Sequence, residues 1–229
     1  MTAQISDSTS QRIFRHASRL QQSMLAKSEK QFLIWTAGRL PHWLNSDHLT
    51  ALGFAAQLLT GLSYAFVPYG RIWLFFASGF LVLNWFGDSM DGTLARVRNQ
   101  QRPRYGFYVD HMLDSIGAVA LMGGLARSGL MGPGIATGLL VLFLLLSIQS
   151  YLATYTLEEF RMSFWSFGPT ELRLLLIAGN FAVLRWPTIL HGYRLFDIGG
   201  VSGIAGMGVM VLFFTVRNTA RLYAEERVL

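Results

Sequence analysis

Six long apolar blocks, at residues 49–68, 71–90, 107–127, 133–155, 171–190 and 199–220, constrain this 229-residue chain more than any other feature. Each approaches the roughly 20 residues needed to cross a hydrocarbon layer of about 30 Å. In lipid, backbone polar groups must be satisfied within the segment, so spans of this length fold as helices. Turn chemistry punctuates the blocks: Pro68-Tyr69-Gly70, Gly132-Pro133-Gly134, Gly168-Pro169 and Trp186-Pro187. Composition agrees, with 52% hydrophobic and only 14% charged residues. The reading is an all-α polytopic membrane protein of six transmembrane helices, with residues 1–45 as a cytosolic N-terminal segment and 46–229 as the membrane domain.

The N-terminal segment carries Ile13, Ala17, Leu20 and Met24 at helical spacing, with Arg12, Arg15, Arg19, Lys27 and Lys30 between them. That pattern predicts a basic amphipathic helix on the membrane surface, broken by Pro41. No secretory signal is apparent, so the first apolar block is expected to insert the chain. With the N-terminus inside, fifteen of the nineteen Lys and Arg residues face the cytosol. Both chain ends are then cytosolic. The net charge of +6 fits anionic lipid headgroups; no basic stretch with interleaved aromatics suggests nucleic acid. Cysteine is absent, which excludes disulfides and thiolate metal sites. Small residues on the third block (Gly117, Ala118, Ala120, Gly123, Gly124) and on the sixth (Gly199, Gly203, Gly206) predict close helix packing.

Four aspartates interrupt the apolar pattern. Asp88 and Asp91 close the second block, and Asp110 and Asp114 open the third. Spacings of three and four put each pair on one helix face. Consecutive antiparallel helices bring the pairs together at the cytosolic end. Carboxylates at that depth are costly and point to function. Asp88 and Asp91 are also expected at a helix C-terminus, where the macrodipole disfavours anions. Compensating charge could come from Arg96 and its neighbours, or from two hard divalent ions such as Mg²⁺ or Mn²⁺. Gly92, Ala95 and Gly106 leave room for a large ligand, and Arg96 suits a diphosphate.

The run Asp88-Ser-Met-Asp91-Gly92-Thr-Leu-Ala95-Arg96, followed by Gly106, Asp110 and Asp114, closely resembles the signature of the CDP-alcohol phosphotransferase family. The Arg96–Gly106 spacer is one residue longer than its commonest form and falls in a polar loop. The resemblance implies an enzyme of phospholipid biosynthesis. Such an enzyme moves a phospho-substituent from a CDP-alcohol to an acceptor hydroxyl and releases CMP. It further implies that Asp88, Asp91, Asp110 and Asp114 ligate two metals and that Gly92, Ala95, Arg96 and Gly106 line the CDP site. Asp114 is the usual general base, and a homodimer is expected. Asp110-His111-Met-Leu-Asp114-Ser also looks like the choline/ethanolamine branch, in which the position of His111 is the proposed base. Gln149-Ser150-Tyr151 and Phe167-Gly168-Pro169-Thr170-Glu171 share that likeness, which would bring Glu171 near the site. Donor and acceptor stay open between CDP-diacylglycerol with a polar alcohol and a CDP-amino-alcohol with a lipid. A divalent-cation transporter or channel is the rival reading, since membrane carboxylates also mark ion paths.

Overall fold

The computed structural model describes residues 26–157, 168–186 and 193–226. Seven helices order these residues: α1 (Ala26–Ala37), α2 (Ser46–Phe66), α3 (Ile72–Val97), α4 (Pro103–Arg127), α5 (Pro133–Leu157), α6 (Pro169–Arg185) and α7 (Leu195–Glu225). A 3₁₀ turn, Val67–Tyr69, follows α2. The amphipathic pattern before Ala26, and the end of the 171–190 block beyond Trp186, lie outside the described residues.

The six expected membrane helices correspond to α2–α7. Four of them, α2 with its turn, α3, α5 and α7, are long and apolar enough on their own to cross a membrane. The other two are more polar or shorter. α4 carries Arg104, Asp110, His111, Asp114 and Arg127, and α6 has 17 residues that include Glu171, Arg173 and Arg185.

Local chemistry sets the helix ends. Asn45 caps α2: its side chain accepts from the His48 N–H at 3.0 Å, and His48 Nδ1 accepts from the Asn45 N–H at 3.3 Å. This is a reciprocal cap with histidine in the usual Glu/Gln place. Pro103, Pro133 and Pro169 open α4, α5 and α6, where a missing N–H costs nothing. After α3, Arg98 donates to the carbonyls of Leu40, Pro41 and Leu44, fixing the turn between α1 and α2.

Packing divides the bundle into two ends. At the end remote from the aspartates, Tyr64, Leu74, Leu121, Leu125, Met131, Ala136, Val183 and Phe196 form a closed apolar cluster. Within it, Tyr64 Oη donates to Asn180 Oδ1 (2.9 Å) and Asn180 Nδ2 donates to Ser78 Oγ (3.0 Å). These buried bonds tie α2, α3 and α6, as polar side chains do between helices in lipid. At the other end, Leu33 and Ala37 of α1 pack with Leu49, Met90 and Leu94. Phe32, Ile34 and Trp35 of α1 stay exposed, as suits a helix lying against the bilayer.

Glycine permits the closest approaches. A Cβ on Gly124 would lie 2.0 Å from the Gly61 carbonyl oxygen, and one on Gly87 would lie 2.6 Å from the Gly53 nitrogen. On α7, a Cβ on Gly200 would meet Ile135 at 2.4 Å and one on Gly203 would meet Leu139 at 3.0 Å. Gly199 and Gly206 meet nothing within 4 Å, so the α5–α7 contact runs through Gly200 and Gly203. Gly124→Ala must therefore push α2 from α4. It should cost at least the roughly 1–3 kcal/mol of an overpacked core. Gly123, whose added Cβ meets nothing within 4 Å, should tolerate alanine or gain slightly from its helix propensity. Thermal unfolding of the two variants in detergent checks the contrast, and equal midpoints would refute the close α2–α4 contact.

Candidate active site

All four aspartates line one cavity of about 30 Å³, together with Thr50, Gly53, Phe54, Gln57, Asn84 and Leu113. α3 supplies Asn84, Asp88 and Asp91, α4 supplies Asp110, Leu113 and Asp114, and α2 forms the floor. The cavity has room for ions and small polar groups. A separate apolar groove of about 480 Å³ runs along α3 between Phe32, Phe75, Phe80 and Trp85, without a group for chemistry.

Asp91 is held by short-range bonds. Thr50 Oγ1 donates to its Oδ2 at 2.6 Å, the Gly92 N–H donates to its Oδ1, and Ser46 Oγ donates to its carbonyl at 3.0 Å. α3 continues to Val97, more than one turn beyond Asp91. Neither aspartate therefore sits at the helix C-terminus, and the macrodipole opposition expected there is weak, because it fades beyond the last turn.

Asp88 takes its countercharge from an unexpected source. Arg173 of α6 donates from Nη2 to Asp88 Oδ2 at 2.7 Å, and from Nε to Asn84 Oδ1 at 2.7 Å. Asn84 in turn donates from Nδ2 to the Gly53 carbonyl at 2.9 Å. The guanidinium thus reads two acceptors one helical turn apart, a task for its rigid fork. Arg96, the cation expected to compensate the aspartates, is exposed and folds back along its own helix to bond Thr93 Oγ1 at 3.0 Å. A Cβ on Gly92 would lie 3.4 Å from the Arg96 guanidinium, an ordinary contact distance. Ala95 is half-buried beside it, and Gly106 stands open at the first turn of α4.

On α4, Asp110, His111 and Asp114 present ligand atoms within 4.8 Å of one another. His111 Nδ1 lies 3.8 Å from Asp110 Oδ2. The imidazole stacks on Tyr151 (4.9 Å between centroids) and meets the edge of Phe107 (4.3 Å). Tyr151 of the singled-out Gln149-Ser150-Tyr151 run thus flanks the site. Glu171 does not line the cavity. Its Oε2 accepts from the Gly168 N–H at 2.9 Å, capping α6, while its buried Oε1 has no hydrogen-bond partner among the described residues.

Sequence reasoning missed Arg173, Asn84 and Thr50. Arg173 was legible only as one more inside-positive charge. Asn84 sits four residues before Asp88 in an apolar block, a spacing that could have marked it. Arg173→Ala strands Asn84 and Asp88 in a half-buried setting. It should destabilise the protein by about 1–3 kcal/mol, below the 3–5 of a fully buried pair. Arg173→Lys should recover only part, because an ammonium cannot reproduce the fork. Thermal unfolding in detergent checks this order; full recovery by lysine would refute the two-acceptor role.

Comparison with curated proteins finds no significant match. The sequence model for CDP-alcohol phosphatidyltransferase matches residues 43–217, about three-quarters of the chain, and spans every element that lines the cavity. This integral membrane protein belongs to the CDP-alcohol phosphatidyltransferase family of phospholipid biosynthesis.

Proposed function

We propose that the chain transfers a phospho-substituent from a CDP-alcohol to an acceptor hydroxyl at the four-aspartate cavity, with release of CMP. The observation that carries this reading is the convergence of Asp88, Asp91, Asp110 and Asp114 on one cavity, with the Arg173 guanidinium bonded to Asp88. Four carboxylates around so small a space repel one another and need further positive charge. An all-oxygen donor set of this kind fits Mg²⁺ or Mn²⁺. Divalent-cation dependence is general in the family. The four aspartates would hold two ions, with His111 beside the Asp110 and Asp114 ligand atoms. When bound, such ions polarise a diphosphate and neutralise charge on departing CMP.

The chain's own residues would divide the remaining work. Arg173 and Thr50 hold Asp88 and Asp91 in place. Arg96, with Gly92, Ala95 and Gly106, offers an exposed surface for the CDP moiety. The acceptor oxygen attacks the phosphorus that bears the donor alcohol. The bond to the CMP oxygen breaks, and CMP leaves with the electron pair. The acceptor proton passes to a base. Asp114, which lines the cavity, and His111, held against Tyr151, are the two candidates. The inside-positive pattern supports a cytosolic site and cytosolic ends. The family likeness implies a homodimer.

Nothing favours transport. An ion path would need acidic groups spaced through the full depth, whereas the four aspartates gather at one end and the far end packs around Leu74, Leu121, Leu125 and Val183.

Purified protein in lipid with Mg²⁺ should release CMP in one of two arms. The first offers CDP-diacylglycerol with glycerol 3-phosphate, serine, inositol or inositol phosphate; the second offers CDP-choline or CDP-ethanolamine with diacylglycerol. EDTA should stop the reaction and Mg²⁺ or Mn²⁺ restore it. Asp114→Asn should lower turnover by at least about 10²–10⁴-fold, the contribution of a positioned base. Metal-independent turnover, or a fully active Asp114→Asn, would overturn the reading.

A further inference from the structure

Glu29 is an acid in the helix expected to be basic and to lie on the membrane. Its carboxylate turns into the protein. Oε1 accepts from Trp85 Nε1 at 2.8 Å and from Ser89 Oγ at 3.1 Å. Thr170 Oγ1 reaches the same carboxylate at 3.3 Å. Three donors on two helices thus share one side-chain acceptor group.

The positions of these donors matter more than their number. Trp85 and Ser89 are one turn apart on α3. Asn84 and Asp88 form the adjacent row, displaced by one residue, and Arg173 bonds both. Thr170 and Arg173 are three apart on α6, on one face. The same stretches of α3 and α6 are therefore tied twice, once directly by Arg173 and once through Glu29. α1 is seated by Leu33 and Ala37 against Met90 and Leu94, which bracket Asp91 on α3.

We propose that Glu29 is a positioning residue of the active site, locking α3 and α6 in the register at which Arg173 holds Asp88. This rests on the reading of Asp88 as a metal ligand. Glu29 itself touches neither metal nor substrate. Its effect passes through Ser89 and Thr170 to the carboxylate and guanidinium beside them. The juxtamembrane helix is then part of the catalytic apparatus, and loosening it should loosen the metal site.

The test titrates Mn²⁺ alone into the full chain in lipid nanodiscs, reading free ion by electron paramagnetic resonance, for wild type, Glu29→Ala and Glu29→Gln. Outer groups that orient ligands typically contribute about 10–100-fold in metal affinity. Glu29→Ala should weaken Mn²⁺ binding by about tenfold at the lower end of that range. The Mn²⁺ needed for half-maximal CMP release should rise by the same factor, with the KM for donor at saturating metal unchanged. Glu29→Gln keeps the acceptor for Trp85 and Ser89, and should bind close to wild type. Wild-type Mn²⁺ affinity in Glu29→Ala, whatever its thermal stability, would reduce Glu29 to a structural staple and overturn the proposal. Glu29→Gln as weak as Glu29→Ala would assign the effect to charge and overturn it equally. A wild type that binds no Mn²⁺ would instead overturn the metal reading beneath it.

Discussion

Four carboxylates facing one cavity at the end of an apolar bundle repel each other, and the arrangement of the polar end follows from managing that repulsion. Protein groups neutralise part of it. Arg173 takes one oxygen of Asp88, and Thr50 with the Gly92 amide takes both oxygens of Asp91. On α4, Asp110 and Asp114 share their neighbourhood with His111. The contrast between the two helices is chemical. α3 carries the carboxylates that hydroxyl, amide and guanidinium groups fix in place, while α4 offers a compact group of ligand atoms with Asp114 exposed.

Such a site needs a rigid frame, and lipid offers no hydrophobic force between helices to supply it. The frame comes from close backbone contact. Gly53 against Gly87 sets the separation of α2 and α3 beside Asp88, and Gly61 against Gly124 sets that of α2 and α4 farther along. The Tyr64–Asn180–Ser78 bonds anchor α6 at the remote end, and Arg173 anchors it at the polar end. α6 is thereby held at two points about two turns apart. This lets so short a helix deliver an arginine to Asp88.

Much of this was legible in the sequence because it depends on local spacing. Apolar run length located six helices, Pro133 and Pro169 marked two of their starts, and the intervals within each aspartate pair fixed a common face. The contributions that escaped are long-range. Arg173 lies 85 positions from Asp88 along the chain, and no periodicity links them. Arg96 sits beside the aspartates in sequence and was the natural countercharge; its guanidinium also bonds Thr93 on its own helix, while the direct bond to Asp88 comes from Arg173. Glu171 drew notice through its resemblance to a known pattern, but it caps α6, and the contact with Asp88 is made two residues later by Arg173. The basic character of the N-terminal helix concealed the one acid that docks it.

Anomalous scattering at the manganese edge, from crystals of the protein grown with Mn²⁺, tests the central claim most directly. The account predicts two peaks inside the cavity bounded by Asp88, Asp91, Asp110 and Asp114, separated by the roughly 3.5–4 Å typical of paired catalytic ions. An empty cavity with ordered manganese elsewhere on the chain, in protein that turns over under the same conditions, would contradict it.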